Sequence, residues 1–335
     1  MNKEIVIYIY CGEYSYGMCW WCPKLRWLSK EKFSDCHIIA FDLDGRHGLY
    51  RDFVDEFVAY DEDTESKMGW PACGVTRSKR NNVAFNEDAD PAALKFIKDY
   101  LDEKGIKPKH RITAKNFNKF TGERHNLAGV KASLDENPKG DYVHLTARPH
   151  IQYRIVKELE KNLDPDKQTI AIMARTRKRL EMKDNENWNP AHWQILIDKL
   201  IDELDANVVL IGVPPRNEDG YPGALSFDGK YKRVYSMVRN NSDAVEEQIA
   251  VLLNTKCSLY GASGASYLAM FCNTPSFIFS QSEDGWRLKH KWCLKLTDGH
   301  KNIHVFNKYK PGKDYWNANP DDVFKHFKPF YEKVL

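Results

Sequence analysis

The sequence lacks the features that mark membrane, fibrous and disulfide-stapled proteins. It has no run of about 18 apolar residues, and it opens directly on a β-rich run instead of a signal peptide, so we expect a cytoplasmic globular protein. It has no short repeat and no low-complexity tract. Eight cysteines at irregular spacing in 335 residues do not indicate a disulfide framework and favour reduced thiols. The net charge of +3 is too small to identify a partner by itself.

What the chain does contain is an alternation of β-rich and helix-periodic segments. Strands are predicted at Glu4–Tyr10, Cys36–Phe41, Phe57–Ala59, Tyr142–Leu145, Thr169–Ala174, Val208–Ile211, Val234–Met237, Ser258–Tyr260 and Ser276–Phe279. Helices are predicted from Pro23, around Tyr50, and at Pro91–Glu103, Ile151–Leu163, Pro190–Leu204, Val245–Leu253, Tyr267–Phe271 and Pro320–Leu335. Such alternation predicts mainly parallel sheets covered on both faces. The expected fold class is α/β, with two doubly wound, Rossmann-like domains facing a cleft.

A polar turn at Asp164-Pro165-Asp166 marks the expected seam between the halves. It predicts domains over 1–163 and 164–318. The remaining segment, 319–335, is predicted to form a helix that packs back across the seam.

The segment 255–280 combines a strand, a small-residue turn, a short helix and a second strand. Its turn, from Gly261 to Ser266, has no large side chain, so an anion can approach the backbone N–H groups there. A tight turn with Ser263 as a helix cap explains the same residues equally well. Other polar or glycine positions are predicted at the carboxyl ends of strands, where ligands bind in doubly wound sheets. They are Gly212 and a basic loop that contains Arg175, Arg177 and Arg179.

Three blocks of the second half follow one another in a distinctive order: NWNPAHWQILIDKLIDEL (187–204), ANVVLIG (206–212) and YGASGASYLAMFCNTPSFIF (260–279). In order and spacing they resemble the C-terminal half of the ADP-heptose heptosyltransferases, the family 9 glycosyltransferases. The resemblance implies a GT-B fold and an inverting, metal-independent glycosyl transfer. It also implies a nucleotide-diphosphate sugar as co-substrate, without a further cofactor.

The chemistry of glycosyl transfer predicts roles for individual residues, because guanidinium and backbone N–H groups can stabilise the negative charge that develops on the leaving diphosphate; a solvated basic loop is the alternative explanation of the arginines. The donor diphosphate is expected to be bound by Arg175, Arg177, Arg179, Ser263, Gly264, Ala265 and Ser266, and the nucleotide by Gly212 and Tyr267. The second domain would thus hold the donor and the first the acceptor. Inverting transfer needs a base for the proton of the acceptor hydroxyl. The family places an acidic residue in the loop after the first strand, where this chain has Glu13; Asp42 and Asp44, after the second strand, are the alternatives.

The chain departs from the family pattern at three places. Ala262-Ser263 stands where the family has Asp-Thr, and Tyr267 stands where it has His. A family Lys is replaced by Glu186-Asn187, with Lys183 nearby. The phosphate-binding turn is retained, so the pattern supports a nucleotide sugar as donor without supporting ADP-heptose itself. The hexosyl, heptosyl or pentosyl class stays open.

Basic residues are concentrated over 104–131, with Phe117 and Phe120 among them. The candidate acceptor-binding residues are Lys115, Lys119 and Arg124. Such a patch predicts an anionic acceptor, either a glycolipid or polysaccharide core or a nucleic acid. A nucleic-acid acceptor would make this a phage-type glycosyltransferase acting on hydroxymethylated bases in DNA.

Two further interpretations stay open. Cys19 and Cys22 have the C-x-x-C spacing of redox and metal sites, but they are also explained as packing residues beside two indoles. Because Ala262 and Tyr267 alter the turn, the chain is also compatible with a non-catalytic nucleotide-binding protein.

Overall fold

The computed structural model describes residues 3–12, 14, 17–68, 90–122, 139–177, 188–215, 222–227, 233–261, 266–279, 303–306 and 318–334. The chain divides into two compact units, Met1–Val143 and His144–Leu335. Each unit contains its own parallel β-sheet.

The first unit is built on a four-stranded parallel sheet. Its strands are β1 Ile5–Ile9, β2 His37–Asp42, β3 Glu56–Ala59 and β4 His110–Ile112. They lie in the order β3-β2-β1-β4, and the register places Ile7 beside Ile39 on one side and Arg111 on the other. β1 is therefore an inner strand, and its continuous apolar run fits a position covered on both faces.

Four helices accompany this sheet in the described ranges. They are α1 Cys22–Glu31, α2 Glu62–Lys67, α3 Pro91–Glu103 and α4 Asn118–Thr121. α1 has Pro23 in its first turn, as predicted, and a π-helical turn at Gly17–Trp21 leads into it. α3 begins where the Asp90 carboxylate accepts a hydrogen bond from the Ala92 N–H at 2.8 Å. In place of the helix predicted around Tyr50 there is a short 3₁₀ turn at His47–Leu49.

The second unit is built on a six-stranded parallel sheet and a small antiparallel pair. The sheet contains β5 Thr169–Met173, β7 Asn207–Gly212, β9 Val234–Val238, β10 Cys257–Gly261, β11 Ser276–Phe279 and β12 Ile303–Phe306. Their order is β12-β11-β10-β5-β7-β9. The antiparallel pair is β6 Arg175–Arg177 with β8 Pro222–Ala224.

Its described helices are α5 Pro149–Asn162, α6 Pro190–Asp202, α7 Ala244–Leu253, α8 Ser266–Phe271 and α9 Pro320–Lys333. α6 and α9 pack on each other and share one core with the sheet, including Leu200, Phe327, Ile172 and Phe277. Complete burial of one such side chain contributes about 1.5–3 kcal/mol. Among the described elements, the main contacts of α9 are with α6, β11 and β12.

Helices α5 and α7 are joined by ion pairs as well as apolar contacts. The backbone N–H and Nε of Arg148 donate to the Glu246 carboxylate at 2.5 and 2.8 Å. Arg154 lies 2.8 Å from Glu247, and both glutamates are almost fully buried. Buried carboxylates require such partners, so α5 is tied to the second unit. The chain accordingly divides between Val143 and His144, about one helix earlier than the seam predicted at Asp164.

Two further local predictions are wrong. Residues 142–145 form no strand, because nearby amide groups bond elsewhere: the Asp141 N–H donates to the Pro23 carbonyl and the Leu145 N–H to the Phe271 carbonyl. The basic segment after β5 is not simply a loop, since Arg175–Arg177 pairs with β8 as a strand.

Candidate active site

The second sheet has a topological switch point between β5 and β10. From β5 the chain adds β7 and β9 on one side, then returns to add β10, β11 and β12 on the other. The connections therefore leave these two neighbouring strands in opposite directions, and a crevice opens between them at their carboxyl ends. Arg175 follows β5, and Gly261 ends β10. The predicted donor-binding segments thus flank the position where this topology binds ligands.

The structure describes some of the predicted donor-binding residues and not others. Arg175 is half-buried at the start of β6, and the backbone of Arg177 ends that strand. Ser266 and Tyr267 are buried in the first turn of α8. Arg179, Ser263, Gly264 and Ala265 lie outside the described residues. Their roles stay predictions, as do those of the described candidates.

Gly212 has a structural reason to be glycine. Its φ is +136°, a conformation that other residues rarely adopt, and an added Cβ would lie 2.5 Å from the Ala224 Cβ and 3.1 Å from Met173 Cε. The Ala224 N–H also donates to the Val213 carbonyl, so β8 lies against the end of β7. Packing alone explains this glycine, and nucleotide binding by Gly212 stays a prediction.

An aromatic cluster fixes the start of α6. The Trp188 and Trp193 rings are 4.8 Å apart, and Phe279 lies 4.8 and 5.5 Å from them. Trp188 Nε1 donates to the Ala318 carbonyl at 2.8 Å. The two tryptophans of the WNPAHW segment are therefore buried packing residues, and they hold the amino end of α6 beside the carboxyl end of β11.

The first sheet has its own switch point, between β1 and β4. The chain adds β2 and β3 on one side of β1 and then β4 on the other. The loop that begins at Cys11 follows β1, and the segment from Thr113 follows β4, so these two flank the crevice. Glu13 belongs to the first loop by sequence but lies outside the described residues. Lys115 and Lys119, in the second segment, are both exposed, and Arg124 lies outside the described residues.

Asp42 is fully buried at the end of β2. Its Oδ1 accepts hydrogen bonds from the Leu43 N–H at 2.7 Å and Arg46 Nη1 at 3.0 Å, and its Oδ2 accepts one from the Tyr50 hydroxyl at 2.7 Å. Burial raises the pKa of this carboxyl, and the Arg46 charge and the Tyr50 hydrogen bond oppose that rise. These contacts give Asp42 a structural function. Asp44, the other alternative to Glu13, is exposed, and its N–H donates to Glu65 at 3.1 Å.

Arg46 extends the Asp42 cluster to the loop after β1. Its Nη1 also donates to the Gly12 carbonyl at 3.0 Å, and its guanidinium lies 5.7 Å from the centre of the Tyr14 ring. The four-residue spacing of Asp42 and Arg46 is a sequence signal for an ion pair. No sequence pattern indicates the contacts with Gly12 and Tyr14, because they join segments more than 30 residues apart.

The basic segment over 104–131 contains residues that are paired or buried in the first unit and are therefore not available to an acceptor. Lys109 forms an ion pair with Glu4, and Phe117 is fully buried against Trp21 with ring centres 6.3 Å apart. Phe120 packs on Phe33 at 5.9 Å. Phe117 is therefore a core residue and cannot stack on a nucleic-acid base.

The C-x-x-C cysteines are also core residues. Cys19 and Cys22 are buried, and burial raises the pKa of Cys22 to about 12 and that of Cys11 to about 11. Neutral buried thiols are poor nucleophiles and poor metal ligands. Across the part of the chain that the structure describes, no three His, Cys, Asp or Glu side chains are arranged to hold a metal ion.

Helices capable of crossing a membrane are not found in the described ranges: none combines the necessary length with sufficient apolar character.

Comparison with known proteins defines the fold. No protein-family model and no curated protein matches the chain. Among solved structures, ADP-heptose LPS heptosyltransferase II of E. coli has a TM-score of 0.57 and 12% identity, covering 98% of this chain and 99% of that chain. A family 9 glycosyl transferase from Veillonella parvula has a TM-score of 0.55 and 10% identity, covering 99% and 98%. E. coli heptosyltransferase WaaC with ADP has a TM-score of 0.51 and 13% identity, covering 97% and 99%.

These matches confirm the predicted class, an α/β protein of the GT-B type. The likeness extends over nearly the whole of each chain, so it includes the first half, for which the sequence offers only alternation. At identities of 10–13%, it is a likeness of fold to the family 9 glycosyltransferases.

Proposed function

We propose that this protein is a glycosyltransferase that moves a sugar from a nucleotide-diphosphate sugar to an acceptor hydroxyl, with inversion and without a metal ion. The observation that carries the proposal is the switch point between β5 and β10, flanked by Arg175 after β5 and by Gly261 at the end of β10, where the sequence predicts the donor-binding turn. Cationic side chains and free backbone N–H groups at such a crevice suit a diphosphate.

In the proposed reaction the acceptor oxygen attacks the anomeric carbon from the face opposite the diphosphate. The bond between that carbon and the phosphate oxygen breaks, and its electron pair leaves with the nucleoside diphosphate. Arg175, Arg177 and Arg179, with the backbone at Ser263–Ser266, stabilise the negative charge that develops on the leaving group. Glu13 accepts the proton of the acceptor hydroxyl.

The acceptor is proposed to be anionic, a glycolipid or polysaccharide core. Support comes from the exposed Lys115 and Lys119, which follow β4 beside the first switch point. The buried position of Phe117 removes one of the two aromatic residues that favoured a nucleic acid. Binding to duplex DNA with a steep salt dependence would reverse this choice of acceptor.

The donor is tested by thermal shift with ADP, GDP, UDP, CDP and dTDP and their common sugar conjugates. A ligand at 100 times its Kd stabilises the folded state by about 2.7 kcal/mol, which corresponds to roughly 5–10 °C for a unit of this size. A shift with one nucleotide family is the expected result. No shift with any of them would contradict the proposal, and a shift without sugar release would support a non-catalytic binding protein.

The donor turn is tested by Ser263→Leu and Gly264→Val. Both place a side chain where the phosphate is proposed to lie, so the thermal shift should disappear while the fold persists. Ser66→Leu, on the exposed side of α2, is the control for adding the same bulk elsewhere. Unchanged nucleotide affinity in folded Ser263→Leu and Gly264→Val would show that the turn is only structural.

The base is tested by Glu13→Gln, which keeps the side chain's size but removes the proton acceptor. Turnover should fall by about 10²–10⁴-fold while donor affinity stays near that of the unmodified protein. Release of nucleoside diphosphate measures turnover, with water as acceptor until the natural acceptor is identified. Near-normal turnover would transfer the role to another carboxylate, and lost donor affinity would indicate a contact with the sugar.

A further inference from the structure

The buried side chain of Arg46 contacts two residues of the loop after β1, Gly12 and Tyr14, and the proposed reaction does not itself require these contacts. Arg46 is 7% exposed, and it is anchored by the buried Asp42. Its Nη1 donates to the Gly12 carbonyl at 3.0 Å, and its guanidinium faces the Tyr14 ring at 5.7 Å. Gly12 and Tyr14 are the two neighbours of position 13 in the chain.

The anchor is itself rigidly held. Tyr50 and the Leu43 N–H donate to Asp42 at 2.7 Å each, so neither carboxylate oxygen is left without a donor. Asp42 ends β2, whose backbone is bonded to β1 and β3 on its two sides. Because Arg46 is held by this anchored carboxylate, its charge-assisted hydrogen bond to the Gly12 carbonyl fixes Gly12 relative to the sheet.

Gly12 and Gly17 both lie close to the Tyr10 ring. An added Cβ at Gly12 would lie 2.4 Å from a Tyr10 ring carbon, and one at Gly17 would lie 3.0 Å from the same ring. Tyr10 in turn stacks on Trp21, with ring centres 5.3 Å apart. Tyr10 therefore packs against Gly12 and Gly17, while Arg46 forms the hydrogen bond to the Gly12 carbonyl.

We propose that Arg46 is a positioning residue that fixes the backbone on both sides of position 13 through the Gly12 carbonyl and the Tyr14 ring. This inference deepens the proposed function, since it rests on Glu13 as the base. It also explains why the Asp42–Arg46 ion pair is buried at this end of the sheet. A displacement of about 1 Å in a catalytic group costs on the order of 10²-fold in rate, so removal of Arg46 should lower turnover without touching the donor site.

The test compares two buried arginines of the first unit. Arg26 is 6% exposed, forms an ion pair with Asp52, and donates to a backbone carbonyl, that of Asp141, at 3.0 Å. Its guanidinium lies 4.8 Å from the Phe53 ring, so it makes the same three kinds of contact as Arg46 but away from the loop. Both variants should destabilise the first unit, and Arg46→Met should do so more strongly because it leaves the buried Asp42 carboxylate without its cation, whereas the Asp52 side chain is 42% exposed. Exchange over the loop is therefore compared with exchange at Ile7 in the same variant, and only Arg46→Met should accelerate the loop more than Ile7.

The first measurement needs no ligand. Relative to Ile7, hydrogen exchange of full-length protein should become at least about tenfold faster over 10–16 in Arg46→Met and stay unchanged there in Arg26→Met. The second measurement uses the nucleotide sugar found by thermal shift, with water as acceptor. Here Arg46→Met should lower kcat by about 10- to 100-fold with KM for the donor within about twofold of normal, and Arg26→Met should leave both values near normal.

Two results would overturn the proposal: equal loop exchange relative to Ile7 in the two variants, or a change in donor KM with kcat preserved. Failure of the proposed function would be recognised by a different result, either absent nucleotide binding or normal turnover in Glu13→Gln. In that case the exchange comparison still decides whether Arg46 holds the loop. If Arg46→Met does not fold, Arg46→Lys keeps the charge beside Asp42 but loses the planar face toward Tyr14. It should show intermediate loop exchange, and exchange equal to that of the unmodified protein would refute the proposal.

Discussion

Substituting Gly212 with alanine tests how the carboxyl end of β7 is built. The φ of +136° costs a non-glycine residue about 1–3 kcal/mol. The added Cβ would also meet the Ala224 Cβ at 2.5 Å, and overpacking of this kind costs about 1–3 kcal/mol. Because both penalties act on the folded state, Gly212→Ala should lower the free energy of unfolding of the second unit by about 2–6 kcal/mol.

Gly105→Ala provides a matched control. Gly105 also has a positive φ, +63°, at the end of α3, but an added Cβ would meet nothing within 4 Å. Only the backbone penalty applies there, about 1–2 kcal/mol. Native-state hydrogen exchange separates the two units, with the amides of Ile172 and Ile7 reporting on the second and first sheets.

The expected result is a rise in exchange at Ile172 of about 30-fold or more for Gly212→Ala. For Gly105→Ala we expect a rise at Ile7 of roughly tenfold. Equal, small effects would refute the steric argument. Gly212→Ala that keeps normal stability but loses nucleotide affinity would show that the glycine serves the ligand and not the packing.

Three further predictions concern charge, packing and thiol chemistry. Burial raises the pKa of Glu158, but hydrogen bonds led by Arg239 outweigh it and leave the pKa below its ordinary 4.5. The stability that this pair adds is present above pH 4.5 and is lost as the pH falls through the lower folded value. The difference in unfolding free energy between the unmodified protein and Arg239→Met should therefore narrow on acidification. Leu200→Ala, at a fully buried position, should cost about 2–5 kcal/mol in urea unfolding, whereas Leu253→Ala, at a 40% exposed one, should stay within about 0.5 kcal/mol. Among the described cysteines, Cys36 alone is not buried and should be alkylated first, as peptide mapping would show; earlier labelling of another described cysteine would contradict this burial pattern.

Local sequence was sufficient for the longer elements. The bounds of α3 and β11 are those predicted, and α6 and α9 begin at the predicted prolines. Each is defined by information within a few residues: an apolar repeat, a capping Asp or Asn, and a proline in the first turn. Strand–helix alternation was sufficient to predict doubly wound α/β domains. The GT-B type of fold was predicted from the resemblance of the blocks over 187–279 to the family 9 glycosyltransferases.

The short strands and the loop attachment were decided by tertiary structure. β4, β6 and β8 have three residues each, and nothing in their local sequence separates them from loops. β4 is a strand because β1 supplies its hydrogen-bond partners, and β6 and β8 are strands because they pair with each other. The boundary at Val143 places α5 in the same unit as α7, to which ion pairs join it across more than 90 residues of sequence. The contact of Arg46 with Gly12 likewise joins the ends of two neighbouring strands. Local sequence encodes propensity and periodicity, whereas partners for buried charges and backbone groups exist only once distant segments have come together.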